Sequence, residues 1–214
     1  MSESWHKILR NKNRLEIITA GRELFLKNNF INVNIKDVCM KAGVSRVTFY
    51  KHFKSIDDLI FEVQIDILQC MTDTISEAST VGTSGLEKLK NMLYSWVNFA
   101  RENKDQMKFI TLFDIYYEAY DSNEELKIKY ENFTKLESNN FLDNIIRSGI
   151  EDRSFKKDIN VMKTGFYIFQ TMMGVLQRVS YTKIPVDCEG ITSDDIVLSI
   201  IDMIINSVKT EKNT

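Results

Sequence analysis

The sequence predicts an all-α protein of about nine helices. Three observations carry this. The 214 residues include one proline and eight glycines, so little interrupts a helical run. Apolar residues recur at i, i+3, i+4 and i+7, as in Ile35, Val38, Cys39 and Ala42. Towards the C-terminal end, Met162, Phe166, Phe169, Met173 and Leu176 step by 4, 3, 4 and 3, which keeps them on one side of a long helix.

Taken in order, the first dozen residues carry Lys7, Arg10 and Lys12 without a clear period, and Arg14 follows. They read as a flexible basic arm. Helix 1 follows on the stripe Ile17, Ile18, Gly21, Leu24 and Phe25 and stops at Asn28-Asn29, where Asn29 tolerates a left-handed cap. Asn34 is the expected N-cap of helix 2, which Gly43 breaks. Ser45 then caps a short third helix, whose neighbours Val44, Phe49 and Phe53 can pack back on the second. Ser55-Ile56-Asp57-Asp58 forms a capping box, so a fourth helix runs from there to about Ser79, about 35 Å at 1.5 Å per residue. STVGTSG is a loop. Further helices are expected at about 86–102, 105–120, 123–150, 159–182 and 193–209, with SGIEDRSFKKD as a connector.

Between the apolar anchors of the third helix lie Arg46, Val47, Thr48, Tyr50, Lys51 and His52. A helix, a glycine turn and a second helix with a basic, hydroxylated and aromatic outer face form a helix-turn-helix, whose second helix enters the DNA major groove. Charge agrees. Residues 1–54 hold 11 Lys+Arg against 4 Asp+Glu, although the whole chain is at −2. The basic end suits a phosphate backbone that would repel the acidic remainder.

The segment AGVSRVTFYKHFKSIDDL resembles the DNA-binding signature of the tetracycline-repressor (TetR) family of bacterial regulators. The likeness extends upstream through IITAGRELFLKNNF, about the first quarter of the chain, and is architectural beyond that. It implies a three-helix helix-turn-helix head at 1–55 joined to a helical ligand-binding and dimerisation body at 56–214. The expected DNA-contacting set is Asn34, Lys36, Ser45, Arg46, Val47, Thr48, Tyr50, Lys51, His52 and Lys54. Arg46 is the candidate for a bidentate guanine contact and Val47 for a thymine methyl. Lys36 and Lys51 reach bases or phosphates. Thr48, Tyr50, His52 and Lys54 match family positions that hold the DNA backbone. Ile56 stands where a phosphate-contacting lysine is common.

The family's last two long helices pair with those of a second subunit. The second seam of the helix at 159–182 agrees with this, and the expected interface is Ile168, Met172, Val175, Val179, Val197, Ile200, Ile201 and Ile204. A dimer would read a palindromic operator. The resemblance also implies a small-molecule effector in the body, and the aromatic-rich candidates are Trp96, Phe99, Phe113, Tyr116, Tyr117, Tyr120, Phe133, Phe169 and Met173. Asp114 and Glu118 beside the tyrosines fit either a cationic effector or a solvated acidic face.

Enzyme chemistry finds no footing. His6 and His52 are the two histidines, with no nucleophile arrangement around them, and no Gly-rich phosphate loop or HExxH motif occurs. Cys39, Cys70 and Cys188 lack zinc spacing; Cys39 sits on an apolar face, and the other two are the redox-sensing candidates. No cofactor, metal or membrane partner is expected, and the protein reads as cytoplasmic. The resulting reading is a homodimeric, ligand-responsive DNA-binding regulator, a repressor released from its operator by an effector. A helical protein-interaction adaptor whose helix-turn-helix does not touch DNA is the alternative.

Overall fold

The computed structural model describes the backbone of residues 2–117, 124–137, 140–182 and 190–210, and the side chains of 11–117, 124–133, 141–182 and 190–210. Ten α-helices are described: α1 (Ser2–Asn28), α2 (Ile35–Ala42), α3 (Arg46–Tyr50), α4 (Ile56–Ser79), α5 (Gly85–Glu102), α6 (Lys104–Tyr117), α7 (Glu124–Glu137), α8 (Asn140–Glu151), α9 (Val161–Tyr181) and α10 (Ser193–Val208). A 3₁₀ turn spans Phe30–Asn32, and the described residues contain no strand beyond an isolated bridge between Phe155 and Lys209.

Two expectations change. The chain is helical from Ser2, where a flexible arm was expected; no Gly or Pro interrupts it before Gly21. Where one helix was expected at 123–150, the described residues are helical over Glu124–Glu137 as α7 and over Asn140–Glu151 as α8, and 138–139 lie outside the described residues. Elsewhere the caps fall where polar side chains were expected to place them. Asn34 accepts from the Lys36 and Asp37 amides while Asp37 bonds back to the Asn34 amide. Ser55 accepts from the Asp58 amide, but Asp58 returns its bond to the Lys54 amide and so caps one residue further out. Asn29 has φ 65°, the positive value that favours Asn or Gly after a helix.

The chain divides into two compact units, Met1–Ile67 with Leu112–Tyr130, and Leu68–Thr111 with Glu131–Thr214. The first therefore runs past residue 55 and takes in the end of α6 and the first half of α7. Its core gathers Ile17, Phe25, Phe30, Val38, Phe49, Phe53, Leu59 and Phe61, all nearly or fully buried. In the second unit α5 packs against α8, α9 and α10. Trp96 and Phe155 are its largest buried side chains.

Candidate nucleic-acid interface

The turn between α2 and α3 is made by Gly43 at φ 67° and ψ 25°, left-handed, with its amide donating to the Cys39 and Met40 carbonyls. A side chain here would be strained even though the space beside it is open. Val44 continues the cap by donating to the Cys39 carbonyl at 3.0 Å. Ser45 Oγ then accepts from the Thr48 amide at 3.0 Å and lies 3.0 Å from Thr48 Oγ1. Phe49 and Phe53, both buried, hold α3 from behind with ring centroids 5.6 Å apart. What remains outward is Arg46, Val47, Tyr50 and Lys51, with Val47 68% and Tyr50 57% exposed. An apolar side chain left this open on a helix backed by two buried phenylalanines suits a groove partner such as a thymine methyl.

Charge pairing sorts the basic residues. Lys12 pairs with Glu16, Arg14 with Glu62, Arg22 with Asp66, Lys41 with Glu23 and Lys54 with Glu125. Lys27, Lys36, Arg46 and Lys51 have no carboxylate partner among the described residues. Among the described residues, the uncompensated charge of the head therefore lies on Lys27 and on the two helices of the helix-turn-helix. Glu62 is the hub of the paired set. Burial pushes its carboxyl up, but hydrogen bonds from Lys129 and Arg14 outweigh that and hold it below the usual range. Arg14 also sits over the Phe53 ring, 5.5 Å from its centroid.

The ten residues expected at DNA thus divide. Lys36, Arg46, Val47, Tyr50 and Lys51 are exposed and open to a partner. Asn34 and Ser45 have side-chain oxygens engaged in caps, Thr48 is half-buried beside Ser45, His52 is half-buried, and Lys54 is held by Glu125.

The expected effector residues also separate. In the first unit Phe113 and Tyr117 join Phe61 and Tyr130, with centroids 4.9 to 6.2 Å apart. Gln64, fully buried, donates from Nε2 to the Tyr130 hydroxyl at 3.3 Å, and its Oε1 finds no donor among the described residues. Burial drives the Tyr130 phenol well above its usual range. Tyr116 faces another way, edge-on to Phe30 at 5.8 Å. In the second unit Trp96 packs on Phe169 at 5.5 Å, Phe99 and Met173 are buried, and Phe133 is half-buried. Trp96 Nε1 has no acceptor among the described residues. Two open grooves of about 710 and 750 Å³ flank α1 and α2 and include none of these residues. Tyr120, Glu118 and Cys188 lie outside the described residues. Cys39 is buried, which raises its thiol pKa, and Cys70 is exposed.

The seam expected between subunits is largely internal. Ile168, Met172, Val197, Ile201 and Ile204 are buried within the chain's own second unit, because α9 and α10 spend those faces on each other and on α5. Val175, Val179 and Ile200 are half-buried. The apolar residues left outside are Met162, Phe166, Tyr167 and Tyr181 on α9, with Leu198 and Met203 on α10.

Gln64, Tyr130, Glu62 and Glu125 escaped the sequence reading, since nothing local marks a glutamine or glutamate whose partner is more than 60 residues away. Arg14 and Arg22 on α1, with Glu62 and Asp66 on α4, were a signal for the α1–α4 ion pairs but not for those of α7.

Comparison with known proteins fits this head. Residues 17–63 match the model of bacterial regulatory proteins of the tetR family. A transcriptional regulator of Staphylococcus aureus (strain bovine RF122 / ET3-1), SAB2452, is 24% identical over 146 residues, 61% of this chain and 78% of that one. The transcriptional repressor KstR2 of Mycolicibacterium smegmatis is 22% identical over 148 residues, 69% of this chain and 70% of that one. The crystal structure of FadR from Bacillus subtilis in complex with stearoyl-CoA superposes with a TM-score of 0.67 at 19% identity, covering 89% of this chain and 97% of that one. The glycine-turned helix-turn-helix, whose Lys36, Arg46 and Lys51 have no carboxylate partner among the described residues, thus lies within the stretch, residues 17–63, that matches the tetR family of bacterial regulatory proteins.

Proposed function

We propose that the protein is a homodimeric repressor released from a palindromic operator by an apolar small molecule. The observation that carries this reading is the pairing pattern of the head: Lys36, Arg46 and Lys51 stay uncompensated on the helix-turn-helix while Lys12, Arg14, Arg22, Lys41 and Lys54 all meet carboxylates. An adaptor that did not touch DNA would gain nothing from leaving its positive charge there. A second copy would cover Tyr167 and Tyr181, which lie opposite the buried stripe of α9, and Phe166 at its flank, and Gly174 leaves room for close helix approach. Two heads would then read half-sites about one helical turn, or a multiple of it, apart.

The relatives support the effector class. KstR2 of Mycobacterium tuberculosis is described as a ketosteroid transcriptional regulator and FadR of Bacillus subtilis was crystallised with stearoyl-CoA; a ketosteroid and a stearoyl thioester each join a large apolar body to a carbonyl. In this chain the buried clusters are aromatic, and the buried Trp96 indole N–H has no acceptor among the described residues. A ligand that prefers the state unable to bind operator weakens operator affinity by the ratio of its two affinities.

The test is a mobility shift on duplexes from the region upstream of the protein's own coding sequence. Wild type is expected to retard one fragment in a salt-sensitive way, as a dimer by light scattering. Arg46→Ala is expected to relax base preference at one position, costing about 1 to 3 kcal/mol there. A thermal-shift panel of acyl-CoA thioesters and sterols is expected to yield a stabilising compound that also releases the retarded band. Unchanged operator preference in Arg46→Ala removes Arg46 as the reader, and an absence of retardation on every fragment favours the adaptor.

A further inference from the structure

We propose that Glu125 on α7 is a built-in competitor of DNA, holding the Lys54 ammonium away from the phosphate backbone and setting operator affinity below what the head could reach. The proposal rests on the reading of the head as a DNA clamp and concerns its regulation.

Lys54 lies between the end of the helix-turn-helix and the start of α4. Its Nζ donates to both carboxylate oxygens of Glu125, at 3.0 and 2.7 Å. The two residues are 71 positions apart in sequence yet belong to the same compact unit. They border a cleft of about 340 Å³ with Ser55, Asp58, Leu126 and Lys129. On the same helix, one turn on, Lys129 bonds Glu62, which in turn holds Arg14 of α1 at 2.6 Å. Through these two positions α7 engages both a basic residue that follows the helix-turn-helix and one that precedes it.

The pair is not there for stability. Both side chains are more than three-quarters exposed, at 78% and 77%, where an ion pair contributes little because water screens it and both chains lose freedom. The hydrogen bond that Lys54 donates to Glu125 raises the lysine pKa and lowers that of the carboxylate, so each partner prefers its charged form in the pair. An approaching phosphate meets two obstacles of the same sign. It must displace a bidentate carboxylate to reach Lys54, and it is repelled by that carboxylate. Removing the negative charge at 125 lifts both, so affinity rises and one further counterion is released on binding. The head as built therefore binds with Lys36, Arg46 and Lys51, and gains Lys54 only when α7 gives way.

The experiment titrates the full chain against one duplex of its upstream region, and one of random sequence, by fluorescence anisotropy from 50 to 300 mM KCl. Glu125→Gln is expected to tighten binding about fivefold near 100 mM and to steepen the slope of log K against log salt by about 0.9, one phosphate contact. It should do so on both duplexes, because phosphate contacts ignore sequence. Glu124→Gln makes the same charge change on a neighbour that does not touch Lys54 and should leave the slope alone. Lys54→Gln should bind no tighter than wild type, because it strips the Glu125 carboxylate of its countercharge, and Lys54→Gln in the Glu125→Gln background should return the slope to the wild-type value. Circular dichroism should show each variant folded as wild type. An unchanged slope in Glu125→Gln, or an equal gain in Glu124→Gln, overturns the proposal. Wild-type protein that binds neither duplex overturns the DNA-clamp reading instead.

Discussion

The two compact units are held together by different physics. The first, with the helix-turn-helix, is organised by polar devices: a reciprocal cap at Asn34, a serine cap at Ser45, a left-handed Gly43, and ion pairs from α4 to α1 and to α7. In the second, shape dominates. A Cβ on Gly85 would come within 2.2 Å of Gly149 Cα, and one on Gly149 within 2.2 Å of the Phe155 ring, so α5 and α8 touch backbone to backbone with Phe155 sealing the contact. The Phe155 segment is itself fastened to the end of α10, through the Lys156 amide to the Val208 carbonyl at 2.9 Å and the Thr210 amide to the Ser154 carbonyl at 3.0 Å. A unit that must meet DNA keeps adjustable, water-exposed contacts, whereas one that must hold a fixed shape uses contacts with no slack.

The difference is sharpest in a substitution by a single methyl. Gly85→Ala forces backbone apart, which no rotamer change relieves, and is expected to cost about 3 kcal/mol or more, near the upper end for overpacking. In a chain of this size that is a fall in Tm of about 6 to 12 °C, measured by calorimetry. A loss under about 0.5 kcal/mol, the range of an ordinary surface change, would show that the close approach is not needed.

Next comes the charge hub. Glu62 is buried enough, at 17% side-chain exposure, for its two cations to matter. Its folded pKa lies below the ordinary carboxylate value, so the stabilisation is complete above the unfolded value near ~4.3 and fades as pH falls through the folded one. Glu62→Gln is expected to cost about 1 to 2 kcal/mol at pH 7 and nothing near pH 3, read from urea midpoints across that range. A difference that persists undiminished at pH 3 would mean that Glu62 acts by packing.

What could be read in advance follows the same division. Asn34, Gly43, Ser45 and the exposed Arg46 and Lys51 were legible because caps and recognition helices are written within a few residues of one another. The seam expected between subunits was less legible, for a physical reason. Two apolar faces on α9 say that two surfaces are covered, but not which is covered by the chain itself, and Ile168, Met172 and Ile201 prove to be internal. Tyr116 was grouped with its neighbour Tyr117, yet consecutive residues on a helix point about 100° apart, and one meets Phe30 while the other meets Phe61.

The smallest expected effect tests whether the first unit keeps any polar group for a reason other than its own stability. Gln64 satisfies one end of its amide with Tyr130, and its other end has no partner among the described residues. Rotating the amide would let the Tyr130 hydroxyl donate to Oε1 but would strand the Nε2 hydrogens instead, so either orientation leaves one end without a protein partner among the described residues. Gln64→Leu sacrifices one hydrogen bond, about 1 kcal/mol, and removes a stranded group that costs about 1 to 3 kcal/mol. The net change should lie within about 1 kcal/mol of zero, and on the stabilising side if no water reaches the amide. A cost above about 2 kcal/mol would mean that a buried water completes the network and that the amide is structural. Unchanged or raised stability joined to lost operator release by the compound found in the thermal-shift panel would instead identify Gln64 as a polar point of the effector site, kept against the stability of the unit that carries it.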